Sequence, residues 1–191
     1  MSLHLIKSAA AIENTDEFHQ ARLLLLLNAA SGRGDNLKPV DGIMKLAKMD
    51  FLLRYPNCLA RALDALPARA KPKRSADVVI TEEDRDTVEA KMIRFRYGPW
   101  DNRYRRWLGV LAAKGLASIH LKGRTVRVAV TREGRALARS LADRDEFEGL
   151  AQRSQLIVST VGDMGATRLK DFVYKTFPEL NAMKWGESIE L

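Results

Sequence analysis

Cysteine is nearly missing from this chain of 191 residues: Cys58 stands alone. That excludes an intramolecular disulfide framework and any multi-cysteine zinc site, and it fits a reducing, cytosolic compartment. Histidine is almost as scarce. His4, His19 and His120 lie far apart and show no metal-ligand spacing. The longest apolar run is the five leucines at 23–27, far short of the roughly 20 residues a membrane helix needs. Residues 1–12 hold no long apolar segment, so no signal peptide is expected. No glycine-rich phosphate loop, GxSxG or HExxH occurs. The acidic clusters Glu82-Glu83-Asp84 and Asp143-Arg144-Asp145-Glu146 fall at expected helix starts, where dipole capping explains them. A Glu89-Ala90-Lys91 fragment of nuclease type lacks a strand context. These absences point to a cytoplasmic binding protein rather than an enzyme, with no cofactor and no metal.

What the chain has is charge of one sign in one place. From Lys91 to Arg132 eleven basic residues face a single acid, Asp101, a local excess of +10 within a total of +8. The remainder therefore sums to −2. Charge polarised this strongly makes a positive surface in any fold, suited to nucleic acid or to an acidic protein face. The basic cluster at 67–74 differs, because its prolines make it most simply a solvated linker.

Periodicity supplies the elements. Residues 1–14 read as a weakly ordered lead. Thr15 caps a helix that runs to about Ala30 and is apolar around much of its circumference, hence central in a core. Arg33-Gly34-Asp35 lies in a loop, and inside cells this tripeptide is no signal. A second helix spans 42–55 and stops at Pro56. A third covers 57–66, with Cys58 as a small core residue. Residues 67–81 read as a linker-like insertion holding a short strand at 77–80, and a helix is expected over 82–93, broken by Tyr97-Gly98-Pro99-Trp100.

Asp101 then caps a helix over 101–114, in which Tyr104, Trp107, Leu108 and Leu111 form one apolar stripe opposite Arg103, Arg106 and Lys114. Over 118–130 the pattern switches to period two on both sides of Lys122-Gly123-Arg124, the signature of a β-hairpin with a basic tip. Thr131 caps another helix. The order is that of a winged helix-turn-helix over 15–143, so the expected fold is mainly α with a small β-hairpin. In it, the 101–114 helix and the hairpin pack onto the 16–30 helix and leave their basic faces side by side. Helices and a tail follow over 144–191. The stripe Phe147, Leu150, Ala151, Ser154, Val158 and the stripe Leu169, Phe172, Val173 must bury on this core or on another polypeptide. The tail, with Met183, Trp185, Ile189 and Leu191, suits either a docking peptide or a segment packed on its own domain.

Two stretches, 45–56 (Lys45 to Pro56) and 92–104 (Met92 to Tyr104, containing Tyr97-Gly98-Pro99-Trp100), resemble the middle component of bacterial three-component ABC-ATPase systems, the Lamassu-like anti-phage defence operons. The resemblance spans roughly 15–180. It implies a small non-enzymatic winged-helix adaptor subunit between an SMC-like (Rad50-type) ATPase, which senses DNA, and an effector subunit, often a nuclease. It carries no catalytic residue onto this chain.

Two functions follow from this reading. The first is that adaptor, with non-specific contact to double-stranded DNA. The second is a free-standing winged-helix DNA-binding transcriptional regulator, dimerising through a C-terminal helix. In both, Arg103, Arg105, Arg106 and Lys114 approach the partner from the helix, and Lys122, Arg124 and Arg127 from the hairpin. About five neutralised phosphates would give a log–log salt slope near −4 to −5. The same residues would serve an acidic protein face. Arginines set on separate sides, or paired off internally with carboxylates, would overturn the surface.

Overall fold

Thr15 acts as the cap its sequence predicts: its hydroxyl accepts the Phe18 N–H at 3.2 Å, and helix α1 (Asp16–Ala30) carries Asp16 and Glu17 in its first turn, where the macrodipole favours acids. The structure is a computed structural model and describes residues 15–32, 37–68 and 91–191. The expected lead at 1–14, the Arg33-Gly34-Asp35 tripeptide, the insertion beyond residue 68, the strand at 77–80 and the helix from 82 to residue 90 lie outside the described residues.

After α1 come strand β1 (Val40–Asp41), helices α2 (Ile43–Arg54) and α3 (Pro56–Asp64), strands β2 (Ile93–Phe95) and β3 (Gly98–Trp100), and helix α4 (Tyr104–Ala113). Strands β4 (Ala117–Lys122) and β5 (Thr125–Val130) follow, then helices α5 (Arg132–Ala142), α6 (Asp145–Val161), α7 (Ala166–Thr176) and α8 (Glu179–Ala182). The described chain is mainly helical, with two small antiparallel sheets. Because α1 is apolar on every side, its five leucines at 23–27 are at most 2% exposed, and α2, α4, α5, α6 and β5 all pack on it.

The two sheets differ in size. The larger has strand order β1-β5-β4, with Val40 opposite Val128 and six residue pairs from Ala117↔Val130 to Lys122↔Thr125. The smaller is the β2–β3 hairpin, in which Ile93 faces Trp100 and Phe95 faces Gly98 across a two-residue turn, Arg96-Tyr97. Pro99 fits because β3 is an edge strand. Two expectations are corrected here. Tyr97-Gly98-Pro99-Trp100 does not break a helix: Ile93 already lies in β2, and the element is the turn end and return strand of a hairpin. Asp101 is not the N-cap of α4, which starts three residues later with Arg103 at its cap position; its carboxylate still accepts the Arg103 N–H at 2.9 Å.

The C-terminal stripes bury on the chain's own core. Leu150, Ala151 and Ser154 of α6 lie buried in the same body as α1 and α2, and Phe147 stacks on Phe18 at 6.0 Å. Leu169 and Val173 of α7 are fully buried, and Phe177 meets Phe51 edge-on. The tail packs on its own domain, running antiparallel to β2: the Arg94 N–H donates to Glu187 O, Gly186 N–H to Arg94 O and Ile189 N–H to Met92 O. Tyr55 clamps both segments, donating its hydroxyl to Ile189 O and accepting the Met92 N–H. Among the described residues, no helix is long and apolar enough to cross a membrane.

Candidate nucleic-acid interface

A buried ionic chain sets the position of α4 and of the β2–β3 hairpin. Asp50, fully buried on α2, accepts Arg22 Nε at 2.7 Å, Arg54 Nε at 2.9 Å and the Tyr104 hydroxyl at 2.6 Å. Arg54 passes the chain on, donating Nη1 to Asp101 Oδ2 at 2.9 Å, and its guanidinium lies over the Trp107 ring. Charges buried this deeply are costly unless paired. Burial alone would raise the pKa of Asp50, but the adjacent Arg22 and Arg54 guanidiniums hold it well below the usual carboxylate range. Asp101, opposed by burial and favoured by Arg103 and Arg54, sits at about 2. His19 accepts Arg22 Nη1 on Nδ1 at 2.6 Å, and burial followed by the neighbouring Arg22 charge lowers it to about 3, so it is neutral. Three elements distant in sequence are thereby locked together by charge.

The seven basic residues expected to form the surface divide into two groups. Arg103, Arg106 and Arg127 are paired with carboxylates. Arg103 folds back on Asp101 with Nε and Nη2 and lies 4.6 Å over the Trp107 ring, as part of the support rather than of an open face. Arg106 reaches Asp16, whose carboxylate also accepts Trp107 Nε1 at 2.8 Å. Arg127 donates to its cross-strand partner Asp41 at 2.6 Å. The last two pairs are solvent-exposed, and such pairs contribute only about 0–1 kcal/mol, so both arginines can exchange a carboxylate for a stronger anion. Arg105, Lys114, Lys122 and Arg124 are exposed, without an ion pair among the described residues.

Arg105 and Arg124 meet at one groove of about 640 Å³. The tip of the β4–β5 hairpin forms one wall through Arg124, Thr125 and Val126, and the β2–β3 hairpin forms the other through Phe95, Tyr97 and Trp100. Gly123, at φ +59°, supplies the glycine-first two-residue loop that hairpin twist favours and so aims Arg124. Phe95 and Trp100 are diagonal neighbours on one hairpin face, stacked at 6.0 Å and 30°, and Trp100 continues onto Tyr104 at 5.2 Å. Phe95 and Tyr97 remain 39% and 46% exposed. Trp100 Nε1 donates to Asn102 Oδ1 at 3.1 Å, which leaves the Asn102 amide hydrogens at the rim.

The aromatic wall escaped sequence reasoning, which treated Tyr97-Gly98-Pro99-Trp100 as the break after a helix. The available signal was the apolar alternation Ile93, Phe95 ahead of a polar pair and Gly98-Pro99. Lys114 lies at the far end of α4, away from the groove. Among the described residues no group of three or more histidine, cysteine, aspartate or glutamate side chains could hold a metal ion. No protein-family model, no curated protein and no solved structure matches the chain.

Proposed function

We propose that the chain is a non-enzymatic winged-helix adaptor subunit, joining an SMC-like ATPase to an effector such as a nuclease in an anti-phage defence complex and touching the nucleic-acid backbone with its basic face. The observation that carries this reading is the joint placement of Arg105 at the start of α4 and Arg124 at the β4–β5 tip on one groove. The element order α1, β1, α2, then α4, β4, β5, with sheet order β1-β5-β4, supports a winged helix-turn-helix carrying an insertion between its second and third helices. The resemblance of 45–56 and 92–104 to defence-system middle components supports the bridging role. The hairpin's apolar face outruns the core, leaving Leu121 76% and Ile119 40% exposed, and this gives a protein partner something to bury. Co-expression with the neighbouring genes tests the reading: a stable complex with a coiled-coil ATPase is expected, and no co-purifying partner would defeat it.

The free-standing DNA-binding regulator is the second reading, favoured by the four exposed cations without carboxylate partners among the described residues. Beyond Arg105 and Arg106 the exposed positions of α4 are Gly109 and Ala113, which offer no side chain to read base edges. This composition supports backbone contact rather than sequence recognition. A selection for preferred duplex sequences discriminates the two: a strong consensus supports the regulator, and its absence the adaptor.

A further inference from the structure

We propose that the groove between the two hairpins holds an unpaired nucleotide of single-stranded nucleic acid, its base against Phe95, Tyr97 and Trp100 and its phosphate on Arg105 and Arg124. The inference deepens the nucleic-acid part of the proposed function and rests on it, but it asks for something a backbone contact to duplex does not need, namely a stacking platform.

Three observations select this occupant. The first is ring placement. Aromatic residues are scarce in the chain, yet three line this one groove, and two stand substantially exposed at a hairpin tip where folding does not require them. Phe95 and Trp100 already stack on one another, and the cations Arg105 and Arg124 line the same groove, so flat apolar faces and cationic groups alternate around it. That alternation is how proteins hold single strands, because every base offers a π-face.

The second is hydrogen-bond polarity. Asp41, the only carboxylate on the groove among the described residues, is engaged by Arg127. Asn102 has its oxygen occupied by Trp100 and presents amide hydrogens. The charged and amide side chains that remain, Arg105, Arg124 and Asn102, offer donors, beside the Tyr97 and Thr125 hydroxyls, which donate as well as accept. A ligand made of acceptors, phosphate oxygens and base carbonyls, satisfies them, whereas a peptide backbone brings a donor for each acceptor. The third is size: about 640 Å³ falls in the range of roughly 300–1,000 Å³ that encloses ligands of drug size. That is about the scale of one or two nucleotides.

The test uses the full chain, with fluorescence-labelled oligothymidylate, an abasic strand of the same length and charge, and a duplex of that length. Oligothymidylate is expected to bind roughly tenfold or more tighter than the abasic strand, the difference being base stacking. Tyr97→Ala and Phe95→Ala, both at exposed positions, should erase most of that preference while leaving duplex binding within about twofold. Arg124→Glu should weaken all three ligands. Equal affinity for thymidylate and abasic strands overturns the inference and leaves the backbone-contact reading standing. No binding to any strand or duplex overturns both. A glutamate–tyrosine copolymer that binds where no oligonucleotide does assigns the groove to an acidic protein chain and likewise overturns it.

Discussion

Arg54 Nη1 lies 2.9 Å from Asp101 Oδ2, so a side chain near the end of α2 holds the residue that joins the β2–β3 hairpin to α4. Arg54 also bonds Asp50, and Asp50 bonds Arg22 and Tyr104. Removing one carboxylate therefore strands buried guanidinium charge. Asp50→Ala is expected to cost about 3–5 kcal/mol of stability, the cost of breaking a buried pair on one side. Asp41→Asn, which breaks an exposed pair of similar geometry, should stay within about 1 kcal/mol. Urea unfolding of both variants checks this; equal losses would show that the Asp50 cluster is not the lock.

Acid should loosen this lock in a defined order. His19, Asp50 and Asp101 all have folded pKa values below their ordinary ones. In each case the unfolded chain binds the proton first, so stability falls as pH falls. His19 begins the loss, over the window from 6.5 down to about 3, and the carboxylates join it below 3.8. A single proton taken up on unfolding changes stability by at most about 1.4 kcal/mol per pH unit. His19→Gln should flatten the decline between pH 6.5 and 4 in a series of urea midpoints. An unchanged slope would remove His19 as its source.

How far these features could be read from sequence varied with how local their causes are. The α1 cap, the apolar stripe of α4 and the β4–β5 register were legible, because a cap, a 3.6-residue repeat and a two-residue alternation each lie within about a dozen neighbouring residues. The β2–β3 hairpin was not. Its strands are three residues long, and the ladder on the far side of β2 is completed by residues 186–189, nearly a hundred positions downstream. The candidate surface was legible as composition but not as pairing. Nothing near Arg127 announces that Asp41 stands opposite it, since that partnership is created by β1 joining β5. Asp16 reaches Arg106 only because α1 lies under α4.

Lys48 is a buried cation that, among the described residues, has no carboxylate partner. It is 3% exposed and donates to Met44 O at 3.2 Å, and burial followed by the Lys170 charge lowers its pKa to about 8. A lysine depressed in this way subtracts stability while the unfolded chain holds its proton more tightly, and it returns that stability as pH rises from about 8 toward 10.5. Lys48→Met should therefore stabilise the protein at pH 7 by about 1–3 kcal/mol, as apolar replacements of buried charge often do. The gain should shrink above pH 8. Cys58, pushed up to about 12 by burial, acts with the opposite sign above pH 9 in both proteins, so the difference between wild type and variant isolates Lys48. A variant less stable at pH 7 would assign Lys48 a structural role.

Salt dependence separates the paired from the unpaired cations of the basic face. Among the described residues Arg105, Lys114, Lys122 and Arg124 have no carboxylate to release, whereas Arg106 and Arg127 must leave Asp16 and Asp41 before meeting phosphate. Four phosphates neutralised on duplex DNA give a log–log salt slope of about −3.6, at roughly −0.9 each. This is shallower than the slope near −4 to −5 that the sequence alone predicts. Arg105→Gln with Arg124→Gln should reduce the slope by about 2 units. Replacing Arg106 and Arg127 by glutamine should reduce it by less, because part of their charge is already compensated by protein. Arg103→Glu, by contrast, should show itself in thermal unfolding before it shows in binding, since its guanidinium closes on Asp101 and Trp107. Titration of a fixed duplex across 50–200 mM salt reads the first two effects. If the Arg106 and Arg127 pair changed the slope more than the Arg105 and Arg124 pair, the groove would not lie at the centre of the interface, and the DNA path would have to run along the α1 side of α4.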